Sequence, residues 1–144
     1  MRIRTTSDLD SFKSELASSD VVLDAIFGFS FKPPVRPPFD QVLSLLTESK
    51  LPIVSVDIPS GWDVESGRPS GGEGKRVDAL DPDVLVSLTA PKEGVREFRG
   101  RHFLGGRFVP KSLDDKFELN LPEYPGTDLI VELSTDPEST ANKL

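Results

Sequence analysis

Two stretches of this chain end an apolar run on an acidic residue. Ile53-Val54-Ser55-Val56-Asp57-Ile58-Pro59-Ser60-Gly61-Trp62-Asp63 reads as a short buried strand that closes on a carboxylate, a proline, a hydroxyl and a glycine. Val21-Val22-Leu23-Asp24-Ala25-Ile26-Phe27-Gly28-Phe29-Ser30 has the same grammar. Ligands of open parallel sheets bind just beyond the carboxyl ends of the strands. Two such strands side by side would therefore bring Asp24, Asp57, Ser60 and the Gly28 loop to one crevice.

Each group has a chemical and a structural reading. A carboxylate inside an apolar strand is costly unless paired, hydrogen-bonded or bound to a cation, so Asp24 is either a structural or capping group or a cation ligand. Asp and Ser oxygens are hard donors that suit an alkali or alkaline-earth ion rather than zinc, and Ser60 supplies the matching hydroxyl. Asp57 at a strand end could accept from a ribose hydroxyl or act as a general acid/base; equally, it could only shape its loop as an Asx-type turn. The run from Gly28 to Pro34 leaves its strand through a glycine, where backbone N–H groups could cradle a phosphate. It is no GxGxxG, and Pro33 and Pro34 remove two donors.

The remaining reactive residues point to little chemistry. His102, the single histidine, sits in Arg99-Gly100-Arg101-His102-Phe103 and reads as structural. Arg99, Arg101 and Arg107 read as a solvated face, and Trp62 as loop packing. No Ser/His/Asp triad can be argued, and HExxH, P-loop and deaminase motifs are absent. The formal charge of -7 speaks against generic affinity for nucleic acid or anionic membranes. With no cysteine, a disulfide framework and thiolate metal sites are excluded. No apolar run approaches the roughly 18 residues that would cross a bilayer, and Met1-Arg2-Ile3-Arg4-Thr5-Thr6 lacks the apolar segment of a secretory signal.

These groups need a scaffold. A length of 144 residues fits one domain, while 36% hydrophobic residues, 13 prolines and 11 glycines imply many loops. Ser7-Asp8-Leu9-Asp10 resembles a capping box, and Leu9, Phe12 and Leu16 follow at helical spacing, predicting a helix over residues 8–18. Strands are expected at Val21–Phe27, Ile53–Ile58, Val84–Leu88, His102–Val109 (with a Gly105-Gly106 irregularity) and Leu129–Leu133. Phe39, Val42, Leu43 and Leu46 define a helix ending near Lys50; Glu93–Phe98 is a candidate short helix. Residues 30–38 and 64–80 read as loops, and the tail 134–144 as disordered. Strand, helix, strand at this spacing is a βαβ unit with parallel strands, and continuous apolar runs fit a sheet covered on both faces. Only two clear helices are available as cover. The sheet therefore looks incomplete, and Met1 falls close to the first element, which suits part of a longer domain.

Four co-linear motifs carry a resemblance over about residues 20–133. They are Asp24-Ala25-Ile26-Phe27-Gly28-Phe29-Ser30-Phe31-Lys32, Val56-Asp57-Ile58-Pro59-Ser60-Gly61-Trp62-Asp63, Ser87-Leu88-Thr89-Ala90-Pro91-Lys92, and the run from Gly100 through Pro110. Together they closely resemble the NAD(P)H-hydrate epimerases, the YjeF N-terminal domain family, whose eukaryotic member is also called apolipoprotein A-I-binding protein. The resemblance implies an α/β fold: a Rossmann-like three-layer sandwich with a mostly parallel sheet, of which residues 1–133 would be the C-terminal part. It implies an isomerase of metabolite repair that interconverts the R and S epimers of hydrated NADH and NADPH. Asp24 and Ser60 resemble potassium ligands, Gly28, Phe29, Ser30, Phe31, Lys32, Pro33 and Pro34 match the substrate loop, and Asp57 matches the substrate-contacting acid. A homodimer, a possible protein partner, and a cytosolic or mitochondrial location also follow from the resemblance.

The chain departs from the family pattern in two places. Pro33 stands where the family commonly has glycine, and the Asn-Asn-Gly-Gly-Asp-Gly loop of the family's N-terminal half, with a further potassium ligand, does not occur. Two rival readings follow. One is a non-catalytic binding module, as in mRNA-decapping scaffolds or a protein-partner surface. The other is an inactive remnant.

Overall fold

The computed structural model describes residues 8–70 and 78–133. Helix α1 (Leu9–Ala17) is capped by Asp8, whose carboxylate accepts from the Ser11 N–H at 2.8 Å. The cap lies one residue later than Ser7, which falls outside the described residues, because Asp8 already offers an acceptor to an amide that the helix leaves unpaired. Strand β1 (Val22–Asp24) leads through the proline-rich loop to α2 (Phe39–Ser49), which ends on Lys50 in the left-handed region before Pro52. Strands β2 (Ile53–Val56) and β3 (Val84–Leu88) follow, then a single 3-10 turn at Glu93–Val95. Strand β4 (Arg101–Gly105), helix α3 (Lys111–Phe117) and β5 (Ile130–Glu132) complete the described elements.

The strands form one sheet in the order β1-β2-β3-β4-β5. The first three pairings are parallel and the β4–β5 pairing is antiparallel. The βαβ expectation holds for β1–α2–β2, while several strands are shorter than expected. Strand β1 stops at Asp24 rather than Phe27, because the Asp24 carboxylate accepts from Ile26 N and turns the backbone out of the ladder. Strand β2 stops at Val56, where Asp57 adopts φ 73. Strand β4 stops at Gly105, ahead of Gly106 at φ 84. The expected helix over Glu93–Phe98 is one turn long, and Phe98 leaves it to enter the core. Helix α3 has too little apolar periodicity to be read from sequence; its Leu113 and Phe117 are exposed.

Side chains alternate across a strand, and the described residues cover only one face of the sheet. Val22 and Ile53 pack with Leu43, Leu46 and Leu80, joined by Phe12 and Leu16 of α1. Leu85 packs with Ile58, Trp62, Ala79, Val95 and Phe98. The segment expected to be surface loop over residues 64–80 therefore ends in the core: Ala79 and Leu80 are buried, and Trp62 Nε1 donates to the Leu80 carbonyl at 2.7 Å. The opposite face carries Leu23, Val54, Val56, Val84, Val86 and Leu88. Leu23 is 70% exposed, and the others are half-buried. The described residues thus supply two layers of the expected three. Among them, no helix is long and apolar enough to cross a membrane.

Candidate functional site

The parallel register places the last residues of β1, β2 and β3 at the same sheet edge, and the candidate residues gather there. Asp24 pairs in register with Ser55, and the strand after it leads directly to the Gly28 loop. Asp24 is 1% exposed and fully hydrogen-bonded. Its Oδ2 accepts from Ser55 Oγ at 2.7 Å and Ser60 N at 3.0 Å. Its Oδ1 accepts from Ser60 Oγ at 2.6 Å and Ile26 N at 3.3 Å. Ser60 Oγ also accepts from Phe27 N at 3.2 Å, which ties the start of the Gly28 loop to the network. Four donors around one buried carboxylate satisfy the rule that buried charge must be hydrogen-bonded.

This donor set bears on the cation reading. Hard oxygens of Asp24 and Ser60 suit an alkali ion in chemistry. Neither Asp24 oxygen is orphaned, however, so an ion would have to displace a donor, most simply the Ser60 hydroxyl. Among the described residues, no group of three or more His, Cys, Asp or Glu side chains is placed to hold a metal ion.

Asp57 begins the loop after β2. Its backbone N–H continues the ladder to Val86 O at 2.8 Å, and its φ of 73 then turns the chain sharply into Ile58-Pro59-Ser60. The turn presents the carboxylate to two other loops. Oδ2 accepts from Phe29 N at 2.8 Å. Oδ1 accepts from the ammonium of Lys92, which also donates to the Leu88 carbonyl at 2.9 Å. Asp57 therefore makes no Asx turn with its own loop; it joins β2, the Gly28 loop and the turn after β3. Gly28 permits this approach, since a Cβ there would lie 3.1 Å from Asp57 Oδ2. Gly61 matters in another way: at φ 92, a Cβ would come within 2.1 Å of the Asp78 carbonyl oxygen, so only glycine lets the loop close over Asp78 and Ala79.

The loop residues expected to meet substrate divide into anchored and outward groups. Phe31 N donates back to Gly28 O at 2.9 Å, and its ring stacks on Phe27 with centroids 4.3 Å apart. Phe27 in turn meets Phe39 of α2 edge-on at 5.3 Å. Phe29, Ser30, Lys32, Pro33 and Pro34 are exposed on the outer part of the loop. His102 stands apart from the crevice. It shares a 2.8 Å hydrogen bond with Ser87 Oγ and meets the Phe98 ring edge-on, and burial holds its imidazole below the ordinary value. That is a structural histidine, as expected.

Sequence reasoning missed two residues. Ser55, a lone hydroxyl in Ile53-Val54-Ser55-Val56, faces Asp24 across the β1–β2 pairing; its polar type on the buried face was the available signal. Lys92 closes the Thr89-Ala90-Pro91-Lys92 turn, and a cation one turn beyond a strand end was the corresponding clue.

Fold and site together define an open, mostly parallel α/β sheet with two hydrogen-bonded carboxylates at its carboxyl edge, one buried and one facing a glycine-led loop. The family model for the YjeF-related protein N-terminus matches residues 1–94, and the chain belongs to that family. It is 55% identical over 142 residues to a protein of Cryptococcus neoformans var. neoformans serotype D named NAD(P)H-hydrate epimerase, covering 92% of this chain and 57% of that protein. A protein of the same name from Aspergillus fumigatus is 50% identical over 127 residues, covering 88% of this chain and 52% of the relative. The crystal structure of yeast ynu0 superposes with a TM-score of 0.74 at 40% identity, over 85% of this chain and 51% of that one. The chain thus spans about half the length of the curated relatives it matches.

Proposed function

We propose that this chain carries the reacting acid and the loop scaffold of an NAD(P)H-hydrate epimerase, acting on hydrated NADH and NADPH. The observation that supports this most directly is the Asp57 carboxylate. It stands at the carboxyl end of a parallel strand, held by one donor from the Gly28 loop and one from the turn after β3. An oriented carboxylate beside a glycine-led loop is what acid/base work on a hydroxylated ring requires. In the proposed reaction, Asp57 takes the proton of the ring hydroxyl as a carbonyl forms and the carbon–nitrogen bond opens. The bonding pair goes to the ring nitrogen, which takes that same proton from Asp57. As nitrogen attacks the other face of the carbonyl it gives its proton back to Asp57, which returns it to the oxygen, and the second epimer results.

Further parts of the reading rest on the family resemblance. A potassium ion on Asp24 and Ser60 would order the loops, leaving the proton transfers to Asp57. The remaining length of an epimerase of the relatives' size would have the bare sheet face to cover, and a homodimer or protein partner belongs to the same proposal, as does a cytosolic or mitochondrial location.

The test is epimerase activity of the 144-residue chain on mixed R and S hydrates, with an S-specific dehydratase draining one epimer. Consumption of the R form above the spontaneous rate, lost in Asp57→Asn with an unchanged fold, is the expected result. Full turnover in Asp57→Asn would sink the assignment of Asp57. No acceleration by the chain, with rescue once residues equivalent to the rest of the relatives are supplied, would mean an incomplete enzyme. No activity even then would favour the binding module.

A further inference from the structure

We infer that Lys92 is the positioning residue of this site, the group that holds Asp57 in its working orientation; the inference rests on the epimerase reading above. A carboxylate held at one oxygen can still swing about its Cβ–Cγ bond, whereas donors at both oxygens from separate elements fix its plane. Asp57 has that arrangement, with Phe29 N on Oδ2 and the Lys92 ammonium on Oδ1. Lys92 is itself anchored, because the same ammonium donates to the Leu88 carbonyl at the end of β3. Two of its three N–H groups are thus committed. One continuous path, from Leu88 O through Lys92 and Asp57 to Phe29 N, ties three strand-end loops together.

The environment favours a working rather than an ornamental pair. The Lys92 and Asp57 side chains are only 18% and 14% exposed. The other described ion pairs join more exposed groups, such as Lys111–Asp115 at 85% and 62%. Exposed pairs of that kind contribute little, while a charge-assisted bond shielded from water is stronger and more directional. Lys92 also governs the substrate loop indirectly. Asp57 Oδ2 is the acceptor that fixes Phe29 N, so a carboxylate released by loss of Lys92 would release the loop with it.

The experiment compares the wild-type chain with Lys92→Met, Lys92→Arg and Lys92→Ala, with circular dichroism to establish that each folds. Two readouts are taken: epimerisation kinetics, and hydrogen exchange of the Phe29 amide by NMR. In Lys92→Met the expected result is a fall in kcat of about 100-fold, a smaller rise in KM from the loosened loop, and Phe29 exchange about tenfold faster. Lys92→Arg should keep the slow exchange, and methylammonium should restore part of kcat to Lys92→Ala. Wild-type kcat in Lys92→Met, or unchanged Phe29 exchange in that variant, would overturn the proposal. If the wild-type chain by itself gives no epimerisation, the amide exchange alone decides the positioning role: faster in Lys92→Met upholds it, unchanged refutes it. If Lys92→Met does not fold, the Arg variant and the methylammonium rescue decide in its place.

Discussion

Ser60 binds Asp24 twice, through its hydroxyl to Oδ1 at 2.6 Å and through its backbone N–H to Oδ2 at 3.0 Å. With Ser55 on the same carboxylate, one buried anion joins the ends of β1 and β2 to the loop that carries Asp57. Removing it strands several buried donors at once.

Asp24→Ala should therefore destabilise the chain by about 3 kcal/mol or more, since each stranded buried donor costs about 1–3 kcal/mol. Urea unfolding measures it, and a change below about 1 kcal/mol would show that the network carries little weight. The cation proposal has its own readout here. Replacing sodium chloride by potassium chloride at constant ionic strength should raise the Tm of wild type and leave Asp24→Ala unmoved; equal Tm values in the two salts would remove potassium from the picture.

Glycine positions should separate sharply. At Gly61 an added Cβ meets the Asp78 carbonyl at 2.1 Å with φ at 92, whereas at Gly126, φ 49, it meets nothing within 4 Å. Gly61→Ala should cost about 4 kcal/mol or fail to fold, through backbone displacement. Gly126→Ala should cost only the left-handed penalty of about 1 kcal/mol. Thermal melts of the two variants provide the comparison, and similar losses would contradict the described loop geometry.

His102 predicts a pH dependence. Burial lowers its folded value below the ordinary 6.5, so the unfolded chain binds the proton more readily. Its contribution is thus fully present above pH 6.5 and is lost as pH falls from there through the folded value. Stability measured from pH 8 to pH 5 should be flat and then decline, and His102→Gln should flatten that decline while keeping a partner for Ser87. A decline of equal slope in the variant would assign it to other groups.

The sheet face that the described residues leave uncovered should be detectable in solution. Leu23 at 70% exposure heads an apolar surface with Val54, Val56, Val84, Val86 and Leu88 behind it. Such surfaces bind apolar dyes and self-associate. The isolated chain should enhance the fluorescence of an anilinonaphthalene sulfonate dye. Leu23→Lys should lower dye binding and aggregation while changing stability by no more than about 0.5 kcal/mol. Absence of dye binding by the wild type would mean the face is covered in solution.

Much of this was legible in the chain itself. Val84–Leu88 emerges with the boundaries expected, and α2 ends where Lys50 and Pro52 require, because a buried strand and an amphipathic helix write their periods into residue type. Strand ends were less legible. Val21–Phe27 reads as continuous β-former, yet β1 ends at Asp24, where a local carboxylate-to-amide bond competes with the ladder.

What the sequence by itself determined is the alternation of strand and helix, the family motifs, and the identity of Asp24, Asp57 and Ser60 as the groups to watch. Each of those is a local property, set by neighbours a few residues away. The tertiary structure alone decided that Ser55 and Ser60 saturate Asp24, that Lys92 rather than a neighbour of Asp57 holds its carboxylate, and that the described residues leave one sheet face open. Those contacts span 31, 36 and 35 residues between partners, and the open face depends on which elements stack where. No periodicity along the chain encodes either; both follow only once the parallel register lines the strand ends up.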